Sequence, residues 1–302
     1  MNTRQQPVLI AAGGTGGHMF PAVSLASALS ARGHSILFVT DPRGGLVTSD
    51  VLGLPKTVMR HTISARSLGG GPKGMAAGVK ALAKGFFESR RLIREYKPSI
   101  AVGFGGYPSV PPILAAGFAG LPTVIHEQNA VLGRANRRLA RGAKAFALSF
   151  AQTQRLKSAG HARATVVGNP VRQDIAALAA RPYTPPSGVI DLLIVGGSQG
   201  AQEFSKIAPT AFKSLSAPQR ARFRLAQQCR AEDIDEVRAT YAAWNMPVEL
   251  ETFFDDMPTR IADSHLVIGR AGASTVSELA AAGRPAILIP YRFAMDDHQT
   301  AN

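Results

Sequence analysis

Twice along this chain a short apolar run feeds a glycine-rich turn that opens into a helix-forming stretch. The first copy is Val8-Leu-Ile-Ala-Ala12, then Gly13-Gly-Thr-Gly-Gly17, then an Ala/Leu/Ser-rich segment to about Arg32. The second is Asp191-Leu-Leu-Ile-Val195, then Gly196-Gly-Ser-Gln-Gly200 and a further helical stretch. Between the copies lie the apolar runs Ile36–Thr40, Ile100–Phe104, Thr123–His126, Ala145–Ser149 and Thr165–Val167. Beyond the second come Arg222–Gln227, Val248–Thr252, His265–Ile268 and Ala286–Ile289. Apolar runs alternating with helix-length segments predict parallel sheets covered on both faces. The expected architecture is α/β: two facing Rossmann-like domains with an interdomain cleft. Arg181-Pro-Tyr-Thr-Pro-Pro-Ser-Gly188 carries three prolines in a polar setting and reads as the linker. The expected division is 1–180, linker 181–188, and 189–302.

Composition narrows the classes. The 302 residues are 45% hydrophobic and 18% charged, so the chain is globular rather than disordered. Its one cysteine, Cys229, excludes an internal disulfide and fits a reducing compartment. No Cys/His cluster of metal-ligand type is present. The apolar run Val8–Ala12 is too short for a secretory signal. Gly103–Ile125 is uncharged and long enough to span a bilayer, but Pro108, Pro111, Pro112 and Pro122 forbid one continuous helix. It reads instead as strand, loop and short helix.

The net charge of +14 is unevenly placed. Residues 1–182 hold 23 Lys and Arg against 6 Asp and Glu, while residues 183–302 hold 11 against 14. The basic half suits an anionic partner such as phospholipid, a phosphorylated substrate or nucleic acid; solubility alone is the plainer explanation.

A glycine turn between strand and helix lets backbone N–H groups and the helix dipole approach an anion. Neither turn is a dinucleotide fingerprint with its acidic residue about 20 positions on. Asp41-Pro42 reads as a turn, and no P-loop Lys-Ser/Thr follows either turn. A tight loop without ligand is the alternative. His18 stands where the first turn enters its helix. An imidazole there can accept a proton from a hydroxyl near neutral pH, or simply be a polar helix-start residue. Gly103-Phe-Gly-Gly-Tyr-Pro-Ser109 and His126-Glu-Gln-Asn129 place further polar groups at neighbouring strand ends. Arg172, in Gly168-Asn-Pro-Val-Arg172, can pair with a phosphate or lie idle at the surface. In Gly269-Arg-Ala-Gly-Ala-Ser-Thr-Val-Ser-Glu278 a helix opens at about Ser274. Its N-terminus suits a diphosphate, and Glu278, one turn in, suits ribose hydroxyls or helix capping.

Taken together these residues resemble the MurG family of peptidoglycan glycosyltransferases. The matching pieces are Gly13-Gly-Thr-Gly-Gly-His18, Gly105-Gly-Tyr107, His126-Glu-Gln-Asn129, Gly168-Asn-Pro-Val-Arg172, Gly196-Gly-Ser-Gln-Gly-Ala201, Phe254-Asp-Asp-Met257 and Ser274-Thr-Val-Ser-Glu-Leu-Ala-Ala-Ala-Gly283. They run in the family's order. The resemblance implies a GT-B fold and inverting transfer of N-acetylglucosamine from UDP-N-acetylglucosamine. The acceptor is the 4-hydroxyl of undecaprenyl-diphospho-N-acetylmuramoyl-pentapeptide, lipid I, and the product is lipid II. It further implies that Thr15, Gly16 and Gly17 line the donor-sugar and acceptor side and that Asn129 contacts the donor sugar. Arg172 and Ser198 hold the UDP portion, and Phe254 offers a backbone contact to uracil. Ala273, Ser274 and Thr275 approach the diphosphate and sugar, Glu278 takes the ribose, and Gln299 contacts N-acetylglucosamine. His18 is the candidate general base. No cofactor and no metal are expected. Asp255-Asp256 and Asp296-Asp297 lack the one-residue spacing of a glycosyltransferase metal pair.

A lipid acceptor also accounts for the basic half. In Val79–Lys97, Phe86, Phe87, Leu92 and Ile93 lie among Lys80, Lys84, Arg90, Arg91, Arg94 and Lys97. That suits peripheral binding to an anionic phospholipid surface on the cytoplasmic side of the inner membrane. An ordinary domain helix with its apolar face in the core is the alternative. Cell-wall synthesis and division proteins are candidate partners; nucleic acid is not expected, since aromatic residues for base stacking are sparse. The family continues for several tens of residues past a point matching Asn302, so the second domain is expected to be truncated here. Rival readings are a UDP-N-acetylglucosamine 2-epimerase, another GT-B lipid glycosyltransferase, and a basic nucleic-acid-binding module.

Overall fold

The computed structural model describes residues 6–14, 16–44, 53–69, 71–197 and 202–302. They form two compact units that divide between Pro170 and Val171.

Among the described residues, the first unit is built on a seven-stranded parallel sheet. Its strands are β1 (Val8–Ala11), β2 (Ile36–Thr40), β3 (Met59–Thr62), β4 (Ile100–Gly103), β5 (Thr123–Glu127), β6 (Ala145–Leu148) and β7 (Ala164–Val166). Their order across the sheet is β3-β2-β1-β4-β5-β6-β7. Successive residues of a strand point to opposite faces, and both faces here are covered. Leu9, Ala11, Leu37 and Val39 enter one apolar cluster, while Ile10, Ala12, Ile36 and Phe38 enter another. That is why these strands read as unbroken apolar runs. β3 is the exception. It is an edge strand with alternating half-buried and exposed residues, Met-Arg-His-Thr, and it lacks the apolar run that marked the others.

The uncharged stretch from Gly103 does break up. β4 ends at Gly103, a 3-10 turn covers Tyr107–Ser109, and a helix runs Val110–Phe118 with Pro111 and Pro112 in its first turn, where missing N–H groups cost nothing. Among the described residues no helix is long and apolar enough to cross a membrane.

The second unit holds a five-stranded parallel sheet of β8 (Ile190–Val195), β9 (Phe223–Gln228), β10 (Val248–Glu251), β11 (Leu266–Gly269) and β12 (Ala286–Leu288), in the order β10-β9-β8-β11-β12. The segment Arg181–Gly188, expected as the linker, lies within this unit. The physical reason is a short helix, Gln173–Ala177, ahead of it. Its Ile175 is fully buried in a cluster with Leu193, Phe254, Ile261, Val267 and Leu279. Burying such a side chain contributes about 2 kcal/mol, enough to tie residues 171–180 to the second sheet.

In each sheet the strand order reverses beside the first strand of the unit. β1 lies between β2 and β4, and β8 lies between β9 and β11. Helices leave to opposite faces at such a point, and ligands of open α/β sheets bind at the carboxyl ends of the strands there.

Candidate active site

In the first unit the chain beyond β1, β4 and β5 converges at that reversal. Gly13 and Gly14 leave β1, and Gly14 takes φ of +92°. A Cβ at Gly13 would sit 2.6 Å from Pro108, so glycine is what lets the two loops touch. The helix Gly16–Ala31 follows, with His18 in its first turn. Gly16 and Gly17 occupy the helix start, while Thr15 lies outside the described residues. Asp41 serves its own turn as expected: Oδ1 accepts from Gly44 N–H at 3.2 Å.

The His18 ring lies against the backbone of Gly105 and Gly106. A Cβ on Gly105 would come within 3.3 Å of His18 Cε1, and one on Gly106 within 3.3 Å of Cδ2. Both glycines have positive φ, +83° and +73°. Among the described residues the ring makes one hydrogen bond, Nδ1 to Gln128 Oε1 at 3.2 Å.

At the end of β5 and just beyond it, His126, Glu127 and Gln128 are buried and Asn129 is half-buried. Glu127 is 1% exposed. Its Oε1 accepts from Asn129 N–H at 3.0 Å and Asn129 Nδ2 at 3.2 Å. Its Oε2 accepts from Gly133 N–H at 2.8 Å and Asn136 Nδ2 at 2.9 Å. Glu127 therefore anchors the loop that presents Asn129. Gln128 Nε2 donates to Phe104 O at 2.9 Å and approaches His126 Nδ1 at 3.1 Å. His126 Nε2 donates to Gly168 O at 3.2 Å, and the ring stacks on Phe104 at 4.9 Å between centroids. Burial pushes the His126 pKa from 6.5 down to about 4, with the bond to Gly168 working the other way. Glu127 and Gln128 were read from the sequence only as polar members of the run His126–Asn129, with no role of their own, and Asn136 was not singled out.

In the second unit Gly269 ends β11 and Gly272 caps the helix Ala273–Ala282 in extended geometry. Ala273, Ser274 and Thr275 thus form the first turn, with their N–H groups unclaimed by helical carbonyls. Among the described residues Ser274 Oγ is buried with no hydrogen-bond partner. Glu278 accepts from Arg172 Nε at 3.2 Å. Its side chain is 15% exposed and that of Arg172 27%. Burial raises the Glu278 carboxyl pKa, and the Arg172 charge and hydrogen bond oppose that rise. Phe254 is buried, with the Arg260 guanidinium 4.1 Å from its ring centre. Gln299 Oε1 accepts from Tyr291 N–H at 2.8 Å, which closes the loop leading to the last short helix, His298–Ala301. Ser198, expected to hold the UDP portion, lies outside the described residues.

The structure therefore groups His18 and the Asn129 loop in the first unit. It groups Arg172, Ala273, Ser274, Thr275 and Glu278 in the second, with Phe254 and Gln299 on neighbouring segments. The Arg172–Glu278 pairing went unread in the sequence, where 106 residues separate the two.

Known proteins carry the same pattern. Residues 8–148 match the glycosyltransferase family 28 N-terminal domain and residues 191–302 its C-terminal domain. A protein of Rhodospirillum centenum is 49% identical over 98% of this chain and 78% of its own length. It is named UDP-N-acetylglucosamine–N-acetylmuramyl-(pentapeptide) pyrophosphoryl-undecaprenol N-acetylglucosamine transferase. A protein of the same name from Granulibacter bethesdensis is 50% identical over 99% of this chain and 78% of its own length. The crystal structure of Acinetobacter baumannii MurG superposes with a TM-score of 0.73 at 30% identity, covering 98% of this chain and 81% of that one.

Proposed function

We propose a residue-level mechanism for a chain that belongs to the MurG family, has the GT-B fold, and transfers N-acetylglucosamine from UDP-N-acetylglucosamine to N-acetylmuramyl-(pentapeptide) pyrophosphoryl-undecaprenol. His18 takes the proton from the acceptor 4-hydroxyl. The oxygen attacks C1 of the donor sugar from the face opposite UDP, the C1–O bond to the diphosphate breaks, and configuration inverts. UDP carries away the bonding electrons as negative charge.

The second unit holds the donor. N–H groups of Ala273, Ser274 and Thr275 face the diphosphate at the helix N-terminus, where the dipole favours the charge that develops on departure. The unpartnered Ser274 Oγ supports this assignment, since a buried hydroxyl without a partner costs about 1–3 kcal/mol that a phosphate oxygen would recover. Glu278 accepts from the ribose hydroxyls and Arg172 neutralises phosphate charge. Phe254 contributes its backbone to uracil, and Gln299 its amide to N-acetylglucosamine. In the first unit Asn129, steadied by Glu127, contacts the sugar. Thr15, Gly16 and Gly17 border the acceptor, and Ser198 completes the hold on UDP.

One observation carries the reading of the first unit. The His18 ring is seated on the Gly105–Gly106 backbone at the sheet's reversal point, where a reacting hydroxyl would be presented. The deciding assay follows labelled sugar from UDP-N-acetylglucosamine into a lipid I analogue. The expected result is one sugar per acceptor, one UDP released per transfer, and no conversion of donor without acceptor. Donor epimerised in the absence of acceptor would contradict it.

The acceptor's lipid tail calls for membrane proximity, and we infer peripheral binding through the long helix Gly71–Tyr96. Its buried face is small: Gly78, Gly85 and Ser89 with Ile93. A Cβ at Gly85 would collide with Ser64 O at 2.0 Å. Of the apolar side chains expected at a membrane face, Ile93 is buried and Phe86 and Leu92 pack against the core, which leaves Phe87 outward beside other exposed apolar groups. Phe87 is 66% exposed, Phe118 at the end of the neighbouring helix 78%, and Met75 and Val79 more than half. Phe86 stands edge-on to both phenylalanines at 5.6 Å. Lys80, Lys84, Arg91 and Arg94 are exposed on the same helix. An apolar patch among basic groups suits an anionic leaflet at its cytoplasmic face.

A further inference from the structure

The hydrogen bonds around His18 determine which of its nitrogens carries the proton. The chain of contacts is anchored at both ends by backbone carbonyls, which only accept. Gly168 O faces His126 Nε2 at 3.2 Å, so that nitrogen holds hydrogen. The His126 ring is buried and neutral near pH 7, so its Nδ1 is bare and accepts. Phe104 O faces one end of the Gln128 amide at 2.9 Å, so that end is the NH2 group. The same NH2 group stands 3.1 Å from His126 Nδ1 and supplies the hydrogen it accepts. Two independent acceptors thus fix the Gln128 amide, and its oxygen points at His18 Nδ1 at 3.2 Å. An amide oxygen only accepts. His18 Nδ1 must therefore donate, and a neutral ring protonated at Nδ1 has its lone pair at Nε2.

We propose that Gln128, itself oriented by His126 and Phe104 O, is a positioning residue that holds His18 in the Nδ1–H tautomer and leaves Nε2 bare to receive the acceptor's proton. This rests on the reading of His18 as the base. A free histidine side chain exchanges its proton between the two nitrogens and leans toward the Nε2–H form, so a contact is needed to hold the other. The ring here cannot turn over at no cost, because the Gly105 and Gly106 backbone supports it and the Gln128 oxygen would then meet carbon. The Gln128 oxygen also accepts a stronger hydrogen bond as the ring becomes imidazolium, so the contact tightens as the hydroxyl proton arrives.

Nitrogen-15 spectroscopy of the histidine-labelled chain at about pH 8, where free imidazoles are neutral, reads the tautomers directly. The expected result is His18 protonated at Nδ1 and His126 protonated at Nε2. In Gln128→Met, His18 should shift toward the Nε2–H form. Its kcat should fall about tenfold or more while donor KM changes by less than about twofold. His18 protonated at Nε2 in the unsubstituted chain overturns the proposal, and does so even where Gln128→Met fails to fold. Full kcat in a folded Gln128→Met also overturns it. Full activity in His18→Ala removes the base reading and with it the catalytic use of the relay. The nitrogen shifts still report the hydrogen-bond chain by itself, so the two failures are distinguishable.

Discussion

Arg172 Nε stands 3.2 Å from Glu278 Oε1, so the two groups assigned to the phosphate and the ribose of one nucleotide are already paired with each other. Burial raises the Glu278 pKa, and the guanidinium opposes that rise. The pair fixes where the carboxylate points. Glu278→Ala should raise donor KM about tenfold to a hundredfold, from the loss of about 1.5–3 kcal/mol of charged hydrogen bonding, with a smaller change in kcat.

Arg172→Met tests the electrostatic half of that relationship. Without the guanidinium, more of Glu278 is protonated at a given pH, and a protonated carboxyl has lost acceptor capacity. Donor affinity in Arg172→Met should therefore improve as pH rises from about 5 to about 8, more steeply than in the unsubstituted chain. Titration of UDP binding by calorimetry across that range checks it. Parallel pH curves would show that Arg172 does not govern the ionisation of Glu278.

Gly106→Ala should damage the first unit's site more than its stability. Gly106 has φ 73° and ψ 159°, a region essentially reserved for glycine, and a Cβ would stand 2.6 Å from Gly13 O and 3.3 Å from His18. The strain costs about 1–3 kcal/mol in denaturant unfolding. Relief by moving either neighbour displaces the first glycine turn or the base. Transfer should therefore fall by more than about tenfold in a chain that still folds.

His126 makes the first unit sensitive to acid. Its folded pKa of about 4 lies below the ordinary 6.5, so the unfolded chain binds the proton first as pH falls. Stability is then fully present above about pH 6.5 and declines as pH drops through about 4, by on the order of 3 kcal/mol in all. His126→Phe should flatten that stretch of the stability-versus-pH curve. An unchanged slope in the variant would assign the acid sensitivity elsewhere.

The exposed phenylalanines and basic groups make separable contributions to membrane affinity. Phe87→Ala with Phe118→Ala should weaken binding to anionic vesicles at any salt concentration. Lys84→Ala with Arg91→Ala should remove about 1 kcal/mol per charge at low salt and little at high salt. Sedimentation with anionic and neutral vesicles distinguishes the two. Equal binding to both vesicle types would remove the electrostatic part.

Much of this organisation is legible in the sequence, for a physical reason that also marks where it stops. β1, β2, β8 and β11 are covered on both faces, so they show as apolar runs, and the glycine turns behind them mark the strand ends where chemistry collects. β3 escapes because an edge strand needs only one side covered. Gln173–Ala177 reads as the tail of the first half because its attachment to the second depends on Ile175 reaching Leu193 and Phe254 in space. His18, in the first turn of its helix, and Glu278, about one turn into its own, were picked out by their positions behind glycine turns. The links from His18 to Gln128 and from Glu278 to Arg172 span 110 and 106 residues, and no local pattern encodes them.

The most direct measurement is the single-turnover rate of sugar transfer to a lipid I analogue by His18→Ala at saturating donor. A general base contributes about a hundredfold to ten-thousandfold, so the rate should fall by at least about a hundredfold while the dissociation constant for UDP-N-acetylglucosamine stays within about twofold. A rate equal to that of the unsubstituted chain would contradict the account.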